Sequence, residues 1–148
     1  MKRLLIALIF MLALTGAVYE YTGPETALVA LINEARKQSG ISPLCIDWEI
    51  ARLARYKSEE MKNLGLFGHE SMVYGEPDQI LTRFNVPFTT IGTNIAMGYE
   101  TPEEVFEAWL ASPGHKEVIT NAHLNAAGVG ISTNDDGITY WTLILVEK

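Results

Sequence analysis

Apolar residues recur at Leu28, Leu31, Ile32 and Ala35, the three- and four-residue spacing of one helical face. Pro24 stands at a first-turn position and Gly40 closes the run, so a first helix is predicted between them. A second helix is predicted from Asp47 as its cap, with Ile50, Leu53, Ala54, Met61 and Leu64 on the apolar face. Glu59, Glu60 and Lys62 mark its solvated side, and Gly65 stops it. Residues 67–75 follow neither period and read as a loop; residues 77–84 read as a short helix. Residues 87–98 are mixed, with Gly92 and Gly98 as breakers. Thr101-Pro102-Glu103-Glu104 is a capping box with Pro at the first helical position. It opens a helix carrying Val105, Ala108 and Trp109. Ser112-Pro113-Gly114 ends that helix, and Ser112 or Gly114 is placed to cap a further turn through Ile119.

The last third of the chain changes character. Residues 127–132 and 138–146 have strand composition, and Asn134-Asp135-Asp136-Gly137 between them is a hairpin turn signal. Helices first and strands last predict an α+β domain, with helices packed on an antiparallel sheet. The N-terminus differs again: Lys2 and Arg3 precede an unbroken apolar run over residues 4–14, and Thr15, Gly16 and Ala17 are small. That order is the layout of a secretory signal peptide over residues 1–17, with an uncleaved N-terminal anchor as the alternative. Residues 18–23 then form a short linker and 24–148 the folded domain.

Composition narrows the function classes. The chain has 148 residues, a one-domain length, and is 48% hydrophobic and 20% charged, so a packed core is expected. Its net charge of −7 becomes −9 once Lys2 and Arg3 leave with the leader. So acidic a domain repels nucleic acid and anionic lipid, which leaves a membrane only the N-terminal segment as a contact. Cys45 is the single cysteine, so no disulfide forms within the chain. Its place between Leu44 and Ile46 suggests a small buried hydrophobe rather than a nucleophile.

The chain has no phosphate-binding Gly loop, His-Glu-x-x-His zinc helix, paired-Cys spacing or nucleophile elbow. Three polar clusters in Gly-containing stretches remain as candidates. They are Phe67-Gly68-His69-Glu70-Ser71, Gly92-Thr93-Asn94-Ile95-Ala96, and Trp109-Leu110-Ala111-Ser112-Pro113-Gly114-His115. Asn94 is expected to bond neighbouring backbone, and Ser112 to cap the turn that carries His115.

Taken together, these clusters resemble the bacterial members of the CAP superfamily (cysteine-rich secretory protein, antigen 5 and pathogenesis-related 1). That family shows Phe-Ser-His, Gly-Glu-Asn-Ile-Ala, Ala-Trp-x-x-Ser-Pro-Gly-His, Gly-Val-Gly and Tyr-Trp-Thr-Gln in this order. The counterparts here are Phe67-Gly68-His69, the stretch from Gly92 to Ala96, and the stretch from Ala108 to His115. Gly128-Val129-Gly130 and Tyr140-Trp141-Thr142-Leu143 follow. The match runs over about residues 26–146, and the Leu31-Ile32-Asn33-Glu34-Ala35-Arg36 stretch resembles the family's first helix.

The resemblance implies an α-β-α sandwich with a central antiparallel sheet and a surface cleft. In eukaryotic members the cleft is lined by two His and two Glu and can hold zinc. By motif position His69 and His115 are the two His. Thr93 replaces the first Glu, Ser112 the second, and Leu143 the Gln of the last strand. A cleft of His69, Thr93, Asn94, Ser112 and His115 therefore lacks the carboxylate that would serve as general base or strengthen a metal site. No catalytic residue is assigned. No cofactor is required, and zinc on His69 and His115 would be held weakly. The expected role is that of an exported binding module of the cell envelope or extracellular space, with a lipid, peptide or cell-wall ligand. The alternative is a metal-dependent hydrolase working through the same two His. Glu70, Glu104 and Glu107 are the carboxylates whose placement would favour that alternative.

Overall fold

A computed structural model describes residues 23–148. The leader over residues 1–17, and the linker up to residue 22, lie outside the described residues. In chain order the elements are α1 (Gly23–Gln38), β1 (Cys45–Ile46), α2 (Trp48–Leu64), α3 (Pro77–Arg83) and β2 (Thr90–Met97). They continue with α4 (Pro102–Ala111), α5 (Pro113–Ile119), β3 (Ala126–Thr133) and β4 (Thr139–Glu147). The strands form one sheet in the order β1-β3-β4-β2.

The caps work as their residue types dictate. Asp47 accepts from the amides of Glu49 and Ile50 at the start of α2, and Gly65 ends it in the left-handed region at φ 64°. At α4, Thr101 and Glu104 satisfy each other's orphan amides. Asn134 accepts from the amides of Asp136 and Ile138, which fixes the β3–β4 turn.

Period-two alternation splits the core into two layers. Ala127, Val129, Trp141, Leu143 and Leu145 face α1, α4 and α5. Ile144, Val146 and Ala126 face α2 and α3. This is the α-β-α sandwich. The sheet is antiparallel from β2 through β4 to β3, and only the two-residue β1 is parallel, to β3. α2 approaches β3 at Gly128 and Gly130, where an added Cβ would overlap the backbone of α2. Beside this contact, the Ser58 hydroxyl donates to Gly130 O at 2.9 Å and lies 2.8 Å from Thr142 Oγ1.

Several positions depart from the sequence reading. Residues 90–97 form a regular strand through Gly92, because a side chain there would overlap Val118 and Leu124. The glycine keeps the strand flush against its helical cover rather than breaking it. Cys45 is exposed: Leu44, just before β1, and Ile46 turn inward, and Cys45 between them turns outward. Leu64, assigned to the apolar face of the second helix, is 52% exposed in the last turn. Glu60, assigned to the solvated side, is buried, because Lys57 and the loop after α2 close over it.

Candidate functional site

β2 is an edge strand, and the site sits on that edge. Thr93 and Ile95 project toward the α2 layer, and Asn94 and Ala96 toward the α4–α5 layer, so consecutive motif residues serve opposite sides. His69 comes from the loop after α2, and its Nδ1 lies 2.7 Å from Thr93 Oγ1. His115 comes from α5 on the other side. Asn94 Nδ2 donates to the His115 carbonyl at 3.0 Å, which ties α5 to β2. The His115 ring meets Trp109 edge-on, with centroids 6.5 Å apart. Trp109, fully buried, donates from Nε1 to Ile95 O at 3.2 Å.

Between the two imidazoles lies a cleft of about 570 Å³, within the usual range for small-molecule sites. His69, Ser112 and His115 supply its polar wall; Phe67, Met97, Tyr99, Ala108 and Trp109 supply most of the apolar one. Thr93 and Asn94 stand behind the wall, each holding one of the His-bearing segments. Ser112 stands at the N-cap position of α5, but its side chain makes no cap bond. The expected role of Ser112 as a cap is therefore corrected, and Asn94 braces a helix from a strand rather than holding a loop. Asn94→Ala is expected to cost about 1–2 kcal/mol and Ser112→Ala no more than about 0.5 kcal/mol, measured by denaturant unfolding.

Among the described residues, no carboxylate bonds to either imidazole. Glu70 is exposed, and only its backbone carbonyl is engaged, by Lys57. The Glu104 carboxylate is occupied by the amides of Glu100 and Thr101. Glu103 and Glu107 are exposed. No group of three His, Cys, Asp or Glu gathers to hold a metal among the described residues. Two nitrogen donors fall short of the three protein ligands of a catalytic zinc.

Electrostatics also favour a neutral His69 ring. The walls desolvate the His69 ring although its outer edge is open to solvent, and this lowers its pKa. The charges of His115 and Lys57 push the same way, and Glu76 opposes them. An NMR titration should place the His69 midpoint below the ordinary value of about 6.5. His115→Ala removes one opposing cation, so that midpoint should rise. Because folding lowers this pKa, the stability it contributes is present above about pH 6.5 and is lost as pH falls through the folded midpoint.

Sequence reasoning overlooked Met97, Tyr99 and Lys57. The available signal for the first two was a pair of large apolar residues flanking the turn at Gly98.

The sequence profile of the cysteine-rich secretory protein family matches residues 29–145. The chain belongs to the cysteine-rich secretory protein family. YkwD of Bacillus subtilis strain 168 is 40% identical to it over 134 residues, covering 90% of this chain and 51% of YkwD. An extracellular protein of Bacillus anthracis containing an SCP domain superposes with a TM-score of 0.79 at 28% identity. That match covers 85% of this chain and 41% of the other. An outer surface protein of Borrelia burgdorferi shares the fold, with a TM-score of 0.77 at 24% identity, covering 83% of this chain and 91% of that one. The chain thus spans about half the length of YkwD and less than half of the Bacillus anthracis chain. Structural neighbours of this family member are described as extracellular or outer-surface proteins. No helix among the described residues is long and apolar enough to cross a membrane.

Proposed function

We propose that this cysteine-rich secretory protein family domain is an exported binding module of the cell envelope or extracellular space. Its edge cleft takes a ligand with an apolar body and one polar group. The observation that carries this reading is the lining: an apolar cleft of about 570 Å³ whose polar wall is two imidazoles and a serine, with no carboxylate bonded to either ring among the described residues. Such a surface gains from burying apolar ligand area and has neutral hydrogen-bonding groups to orient it. No carboxylate stands among the cleft-lining residues to act as a general base, and desolvation lowers the pKa of the His69 ring. A lipid or an apolar peptide fits this lining better than a polar cell-wall glycan. Zinc, bound by His69 and His115 alone, would be held weakly and is not required for the role.

The test is binding of the apolar fluorophore anilinonaphthalene sulfonate, with lauric acid as competitor. Wild type should bind the dye, and lauric acid should displace it. Ala108→Trp, which fills the cleft, should reduce dye affinity by about tenfold or more. Equal dye binding by both proteins would remove the reading. Zinc-dependent peptide hydrolysis abolished by His115→Ala would replace it with the hydrolase.

A further inference from the structure

Beneath the cleft, α2 and the loop behind it share a buried ion pair. Lys57 and Glu60 lie one turn apart on α2, are 5% and 8% exposed, and meet at 2.9 Å. A buried pair of this kind gives little stability over apolar side chains of the same size, so stability alone does not account for it. Both residues direct their remaining bonds at one segment. Lys57 Nζ donates to Glu70 O at 2.7 Å. Glu60 Oε1 accepts from the Ser71 hydroxyl at 2.7 Å and from the Met72 amide at 3.1 Å. Ser71 Oγ in turn accepts from the amides of Val73 and Tyr74. Ser71 and Gly75 exchange a pair of backbone bonds that closes the loop.

Residues 70–74 are thus fastened from below, while Met72 and Val73 are among the most exposed apolar side chains of the domain. An exposed loop of this length otherwise keeps considerable conformational freedom. His69 immediately precedes the fastened segment, and its own ring is tied to the scaffold by the Thr93 hydroxyl. Burial alone would raise the Glu60 pKa. The bonds from Lys57 and Ser71, and the Lys57 charge, outweigh burial and hold it below the ordinary carboxylate range, so Glu60 stays charged at neutral pH.

We propose that Lys57 and Glu60 are positioning residues of the cleft, a buried latch that fixes residues 70–74 and through them holds the His69 ring against Thr93. The inference rests on the reading of His69 as a cleft group, but its test uses no ligand, so the two fail separately.

Two variants of the full chain test it. Ser71→Ala cuts the link between Glu60 and the amides of Val73 and Tyr74 while leaving both charges in place. Lys57→Met/Glu60→Leu removes the two charges together and keeps apolar volume. NMR reads the His69 titration midpoint, which His115, Lys57 and Glu76 also influence, together with amide exchange at Met72, Val73 and Tyr74. In both variants the midpoint should move up toward about 6.5 as the ring leaves its wall. Exchange at the three amides should speed up by about fivefold or more. The proposal is overturned if the His69 midpoint keeps its wild-type value in Ser71→Ala, whether or not exchange quickens, because the latch would then support the loop without positioning the ring. If the double variant does not fold, Ser71→Ala decides alone.

Discussion

Gly130→Ala should lower stability by about 3 kcal/mol or more, a fall of roughly 6–12 °C in Tm for a domain of this size. The added Cβ would overlap the Arg55 amide and the Ala54 carbonyl, backbone atoms of α2 that no rotamer change can move aside. Helix and strand would have to separate. Ser58, the next turn of α2, would then lose its bond to Gly130 O and its contact with Thr142. Gly128 meets the backbone of Ile50 and Ala51 in the same way, so Gly128→Ala should behave alike. Gly114 is the control: nothing lies near its missing side chain, and Gly114→Ala should leave Tm unchanged or slightly raised. Thermal unfolding of the three variants side by side checks the ranking. A mild Gly130→Ala would mean that α2 does not lie on β3 as closely as described.

Arg36→Met should cost about 4 kcal/mol or more in denaturant unfolding, from a residue far from the cleft surface. Arg36 is fully buried and donates to four carbonyls. Nε reaches Ser42, Nη1 reaches Ile119 and Asn121, and Nη2 reaches Leu124 at 2.7 Å. These acceptors belong to the turn after α1, the end of α5 and the approach to β3. One guanidinium therefore pins three segments, using the fork of donors that only Arg presents. Met fills the volume but orphans the carbonyls, each at about 1–3 kcal/mol before water relieves some of them. Arg36→Lys, with a single nitrogen, should fall between wild type and Met. Because α5 carries His115, loosening its end should also broaden the His115 ring signals.

The features that the sequence revealed are those set by neighbours within a few positions. The Asp47 cap, the Thr101–Glu104 capping box and the Asn134 turn need no distant partner, and each stands where the spacing placed it. The alternation of β3 and β4 is likewise local. The misreadings came from partners that lie far along the chain. Gly92 reads as a breaker until Val118 and Leu124 are seen packed against it. Glu60 reads as a surface carboxylate until the loop at Ser71 and Met72, beyond the end of α2, closes over it. Nothing local to Arg36 announces the four carbonyls that meet it from residues 42–124. The candidate site divides in the same way. Local chemistry could not unite His69 and His115; the ordered motifs did. That Thr93 and Asn94 serve opposite layers follows from β2 being a strand, which the mixed composition of residues 87–98, with Gly92 and Gly98 as breakers, does not announce.

On the proposed reading, one cleft on the β2 edge, walled by residues from both sides of the sheet, binds an apolar ligand. Its most direct test is an NMR titration of the protein with lauric acid, following the His69 and His115 ring signals and the Trp109 indole. All three signals should shift together along one binding curve. Shifts confined to other parts of the domain, or the two imidazoles responding with different affinities, would contradict it.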